Sequence, residues 1–117
     1  MIDHPVRLVL GNCDDERSLA RYAELVDVRC DHPAGRVEVD GRVIAFTHGH
    51  IGSAVRDALD DGVDYLAHGH THEMRDERLG STRVINPGAL FRAARYTVAI
   101  LDPASDRLEF IDVPRDP

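Results

Sequence analysis

Lysine is absent from this chain of 117 residues, and all 14 of its cationic side chains are arginines. Against them stand 21 Asp and Glu, which leaves a net charge of −7. Capture of nucleic acid through its phosphates needs a basic footprint, so this balance excludes nucleic acid as a partner. The same imbalance favours solubility, and loss of Lys with excess of Asp is the pattern expected of a salt-adapted or high-GC source. Cysteine is scarce as well. Cys13 and Cys30 are too few for a disulfide framework, and two reduced thiols are expected. Long apolar runs are missing: none approaches the roughly 20 residues of a membrane span, and residues 1–11 carry neither the basic nor the apolar region of a signal peptide. A cytoplasmic protein without membrane contact is the expectation. What remains, 43% hydrophobic and 30% charged, is ordinary for a globular domain. The length suits one domain with a real core, read here as residues 1–113 with a tail at 114–117.

Histidine is what the chain concentrates. Five of its seven histidines fall between residues 48 and 72, and imidazole's particular abilities are metal ligation and proton transfer near neutral pH. Four of them sit in two of four short polar islands, and His68 directly precedes the third: Gly11-Asn12-Cys13-Asp14, Thr47-His48-Gly49-His50, Gly69-His70-Thr71-His72 and Asn86-Pro87-Gly88. His4 and His32, outside the islands, read as surface residues.

The islands follow apolar runs. Residues 6–10 form a nearly continuous apolar stretch that stops at Gly11, as a buried strand feeding a loop would. Asp14 or Asp15 can then cap a helix, and Leu19, Tyr22, Ala23, Leu25 and Val26 recur at helical spacing. Residues 36–44 alternate across Asp40-Gly41, a hairpin signal, and the second strand runs through Phe46 into His48. A helix is predicted over 53–60, stopped near Gly62, and a strand over 63–67 that empties into His68. From Glu73 the text reads as strands and turns without helices: 83–85, 96–101 and, after an Asp102-Pro103 turn, 107–113, all taken as antiparallel. Strand ends of this kind are where open α/β sheets bind ligands.

In order and spacing, the islands resemble those of the calcineurin-like metallophosphoesterases, most closely the small single-domain phosphodiesterase branch related to the retromer scaffold subunit. The resemblance runs from about residue 6 to 113. It implies an α/β fold, a layered αββα sandwich of which this chain holds the C-terminal portion. Family members begin with strands ending in Asp-x-His and Gly-Asp, and with only eleven residues before Asn12 the chain is expected to be truncated at its front, leaving residues 6–10 as an unpaired edge prone to self-association.

The resemblance also implies a site. Asn12, His48 and His70 match ligands of a second metal and His72 a ligand of the first, with manganese, nickel, zinc or iron as the divalent ions and two of them in a complete member. The implied reaction is hydrolysis of phosphate esters, with phosphodiesters as the substrate class, and a catalytically lapsed protein-binding scaffold of the same fold is the alternative. A remnant that assembles with another copy and a mononuclear zinc module are further readings. No residue is assigned a catalytic role of its own. Asn12 alone could equally be a turn residue. His50 and His68 are ligands, substrate contacts or, as favoured, donors that orient neighbouring ligands; Asp14 orients Asn12 or caps the helix. Cys13 stands where many relatives carry His and reads as a packing residue, and Asn86-Pro87-Gly88 as a rigid turn.

Overall fold

The alternation of residues 36–44 and the Asp40-Gly41 pair produce a hairpin. Both turn residues have positive φ, 52° and 74°, the combination whose twist suits two paired strands. The computed structural model describes residues 7–8, 29–31 and 34–114. Within them run β1 (Arg7–Leu8), β2 (Arg29–Cys30), β3 (Ala34–Val39), β4 (Arg42–Thr47), α1 (Gly52–Asp60), β5 (Tyr65–Ala67), β6 (Met74–Leu79), β7 (Thr82–Pro87), β8 (Thr97–Asp102) and β9 (Arg107–Asp112). Asn12, Cys13, Asp14, His4, His32 and the helix predicted after Asp14 lie outside the described residues.

The central sheet has the order β3-β4-β5-β7-β6. Its inner three strands are parallel, with Ala45 opposite Leu66 and Leu66 opposite Val84, and the two outer strands are antiparallel to their neighbours. Apolar side chains at the centre of these strands, Ala45, Leu66 and Val84, join Val63 and Ala58 in the core, with Val43, Val55 and Leu59 against them. Helix α1 supplies Val55, Ala58 and Leu59, one face at helical spacing. No side chain caps its start, so the helix is held by packing and by its C-terminus. There Gly62 N–H bonds to Leu59 O and Val63 N–H to Ala58 O, with Gly62 at φ 66°. This is a Schellman stop, sealed by contact between Val63 and the core. Among the described residues no helix is long and apolar enough to cross a membrane.

Three details differ from the sequence reading. Strand β6 was not anticipated, because it is an edge strand whose Met74-Arg75-Asp76-Glu77-Arg78-Leu79 is mostly exposed and carries no apolar period; edge strands are often charged in this way. Strand β7 is antiparallel to β6 but parallel to β5, whereas every strand after Glu73 was expected to be antiparallel. Finally, β1, expected as an unpaired edge, pairs in parallel along one side with β2 in a separate two-stranded sheet.

The β8–β9 hairpin is fastened to the central sheet at two places. At one, the Thr97 hydroxyl donates to Pro87 O at 2.8 Å, and Gly88 stands so close that a Cβ there would lie 1.8 Å from Thr97 Oγ1 at φ 90°; only glycine fits on both counts. At the other, Arg83 grips Asp76 with two bonds of 2.8 Å and reaches Asp106 in the β8–β9 turn through its carbonyl (2.5 Å) and carboxylate (3.0 Å). The buried Tyr65 hydroxyl donates to the same carboxylate at 2.6 Å, and Arg78 pairs with it too. These donors favour the ionised forms. The Tyr65 hydroxyl first, then Arg83, holds the Asp106 carboxyl down to about 2; the Arg83 bonds lower Asp76. Burial, then the bond to Asp106, pushes the Tyr65 phenol above its ordinary value.

Candidate metal centre

Parallel strands β4 and β5 run side by side, so the segments that follow them emerge at the same sheet edge. The Gly69 N–H bonds to His48 O at 2.8 Å, which ties the two histidine segments together through their backbones. The result is a cluster of three imidazoles. The His48 ring lies 4.9 Å from His50 and 5.2 Å from His70, both edge-on, and His50 lies 6.1 Å from His70. His48 Nδ1 and His50 Nδ1 are 2.8 Å apart. Two lone pairs cannot face each other at that distance, so one of these nitrogens carries a proton and the other accepts it.

The Gly69-His70-Thr71-His72 segment is bent against its own preference. His70 and His72 have φ of 72° and 63°, left-handed backbone that costs a residue with a side chain about 1 kcal/mol or more and persists only where surroundings enforce it. The enforcing groups are visible. Asn86 is 0% exposed; its amide donates to Gly69 O at 3.3 Å and Thr71 Oγ1 at 3.0 Å, and its Oδ1 accepts from Gly88 N–H at 2.9 Å. Thr71 N–H donates to Gly69 O at 2.9 Å. His68 Nδ1 also faces this carbonyl, at 3.0 Å. A carbonyl only accepts, so Nδ1 carries the hydrogen, and His68 Nε2 can accept from Arg75 at 3.3 Å, itself bonded to Glu77. His72 is set by the same logic: its Nδ1 donates to Arg92 O at 3.3 Å, leaving Nε2 as its lone-pair nitrogen, while its ring lies 6.4 Å from Phe91.

The structure thus gathers His48 and His70, and adds His50, which the sequence reading placed behind them. His68 faces the turn and Arg75. His72 leans on the 89–96 loop. Asn12 and Asp14 lie outside the described residues. Among the described residues no three His, Cys, Asp or Glu side chains are arranged to hold a metal ion. The donor set nonetheless suits one by chemistry: imidazoles gathered at one edge, with hydrogen bonds that place the Nδ1 hydrogen of His68 on Gly69 O and that of His72 on Arg92 O. Sequence reasoning missed the part played by Asn86. Its signal was there, a polar residue at the end of an apolar run, but nothing local says that its amide reaches back 17 residues.

Comparison with known proteins bears on this arrangement. Residues 1–106 match the family model described as the calcineurin-like phosphoesterase superfamily domain. Over 69 residues the chain is 38% identical to a phosphodiesterase of Methanocaldococcus jannaschii; the match covers 56% of this chain and only 42% of that relative. An archaeal phosphodiesterase of known structure superposes with a TM-score of 0.81 at 29% identity, covering 96% of this chain and 71% of the other. Vps29 from Entamoeba histolytica superposes with a TM-score of 0.60 at 18% identity, covering 93% of this chain and 69% of the other, a likeness of fold alone.

Proposed function

We propose that this chain, which belongs to the calcineurin-like phosphoesterase superfamily, takes part in metal-dependent hydrolysis of phosphate esters, with phosphodiesters as the substrate class. It contributes the C-terminal half of a dinuclear site. The observation that carries the reading is the meeting of His48, His50 and His70 at one sheet edge, beside a segment whose left-handed His70 and His72 are held by a buried amide. Strain of this kind, maintained by surrounding hydrogen bonds, is characteristic of functional sites.

His48 and His70, with Asn12 by family resemblance, would hold one divalent ion, and His72 would contribute to a second. Bound there, such ions supply Lewis-acid polarisation of the phosphoryl oxygens and a nucleophilic water. The chain's own residues do the rest. Asn86 and His68 fix the Gly69 carbonyl, and so the direction in which His70 and His72 leave the sheet. Arg92 O takes the Nδ1 hydrogen of His72 and leaves Nε2 free to donate its lone pair. His50 shares one hydrogen with His48 between their Nδ1 atoms, a bond that orients the His48 ring and leaves its Nε2 outside that contact.

Titration of the purified chain with manganese or nickel in a calorimeter tests the site. Weak binding is expected, lost in a His48→Ala, His70→Ala double variant; equal binding by that variant would remove the metal reading. For turnover, the chain alone is expected to hydrolyse bis(p-nitrophenyl) phosphate no faster than metal in buffer. A chain extended upstream with Asp-x-His and Gly-Asp strands should be active and lose activity on Asn12→Ala. An extended chain that folds, binds metal and does nothing would favour the scaffold alternative.

A further inference from the structure

The loop that follows Gly88 has features that the chemistry above leaves unused. Residues 89–96 carry Leu90 and Phe91 on the outside, 55% and 62% exposed. Arg92 follows in left-handed backbone, φ 50°, which folds its guanidinium back to 5.0 Å from the centre of the Phe91 ring. Its carbonyl is the one that receives the His72 hydrogen. The loop is therefore joined to the proposed ligand, and between the two lies a cavity of about 360 Å³ walled by His72, Glu73, Met74, Arg92, Ala93 and Arg95 among others.

The two arginines of this cavity differ. Arg95 is committed to Asp112 by two bonds of 2.9 and 2.8 Å. Arg92 has Phe91 as its partner and no carboxylate among the described residues. A guanidinium in that state matches the non-bridging oxygens of a phosphate ester, which it can bind through two parallel N–H donors. A diester carries a single negative charge, for which one uncommitted cation suffices. The Glu73 carboxylate in the same wall disfavours a substituent that bears further negative charge.

We propose that this cavity selects the substrate. Arg92 holds a phosphate oxygen of a diester bound beside His72, and the ester's aromatic substituent lies in the cavity against Met74 and Ala93. The volume is at the small end of ligand pockets, which span about 300 to 1,000 Å³, so it accepts one ring system. The net charge of −7 repels a polymer of phosphates. The preferred class is thus a small aryl phosphodiester, nucleotide-like in having a flat ring, over an aliphatic one. This rests on the phosphoester reading above.

The test compares two ligands that share a diester phosphate and differ in their substituents: diphenyl phosphate and dimethyl phosphate. Each is titrated into the full chain in the presence of zinc, and amide chemical shifts are followed by NMR. Diphenyl phosphate should bind about tenfold more tightly, in the range of aromatic stacking, and should move the amides of Glu73, Met74 and Ala93. Met74→Ala, at an exposed edge-strand position in the cavity wall whose loss leaves the core intact, should cut the preference to about twofold. Arg92→Gln should weaken both ligands alike. Equal binding of the two ligands by the native chain, or shifts remote from this cavity, would overturn the proposal and leave the phosphoester reading standing. Absence of both zinc and diester binding would overturn the two together.

Discussion

At one end of the central sheet Arg83 meets Asp76 and Asp106 while Tyr65 and Arg78 complete the second carboxylate; at the other, His48, His50 and His70 face one another across 4.9 to 6.1 Å. Both ends are polar clusters at the mouths of the same strands. In the first, every positive group has a negative one, and the pKa directions agree that each carboxylate prefers to be charged. In the second, like meets like: two imidazole nitrogens at 2.8 Å must share one hydrogen, and two backbones stand in left-handed conformations. The first arrangement fastens the β8–β9 hairpin to the sheet. The second is one that a folded chain maintains at a cost, which makes the histidine end the place to look for chemistry.

The most severe break of this comparison is the double variant His48→Ala, His70→Ala. It is expected to abolish binding of manganese or nickel without lowering the melting temperature, since it removes groups that do not hold the fold. Calorimetry and thermal unfolding read the two effects, and a drop of several degrees would mean that the histidines are structural after all.

Asn86→Asp comes next. The acceptor for Gly88 N–H survives, but the donors to Gly69 O and Thr71 are lost in a site with no exposure, at a cost of about 2 to 3 kcal/mol. Denaturant unfolding measures it, and faster hydrogen exchange at the Thr71 amide would locate the damage. Arg83→Leu sharpens the contrast from the other side. Its guanidinium is mostly covered, 13% exposed, so about 1 to 2 kcal/mol of stability should go, with metal affinity within twofold of the native chain.

The smallest effect is in acid. Asp76 and Asp106 have lowered values in the folded chain, so their ionised forms stabilise it, fully above the unfolded carboxyl value of about 3.9. That contribution fades as pH falls toward about 2, the folded value of Asp106. A denaturation series from pH 5 to 2 should show the native chain losing more stability across this window than Arg83→Leu, which has lost the Asp76 bonds and one of the donors to Asp106 but keeps Tyr65 and Arg78 there. Parallel curves would show that Arg83 is not the source.

Much of this was legible in local text. The Asp40-Gly41 hairpin, the helix before Gly62 and the strands leading into His48 and His68 are set by neighbours a few residues apart, through turn geometry, helical spacing and apolar runs. Of the four residues expected to converge, His48 and His70 follow neighbouring parallel strands and their rings lie 5.2 Å apart, His72 leans on Arg92 O, and Asn12 lies outside the described residues. Strand β6 was illegible because an exposed edge strand has no buried face to write an apolar period into its sequence.

What only the tertiary structure decided is partnership across distance. Alternation says which face of a strand is buried but not which strand lies beside it, so nothing in residues 82–87 shows that β7 sits between β5 and β6. From that placement follow the reach of Asn86 to Gly69, the grip of Arg83 on a turn 23 residues away, and the leaning of His72 on Arg92. By itself the sequence determined which residues could do chemistry, because residue type carries the donors. The packing of the sheet determined which of them meet, because hydrogen bonds act over about 3 Å and the chain must first fold to bring distant segments that close.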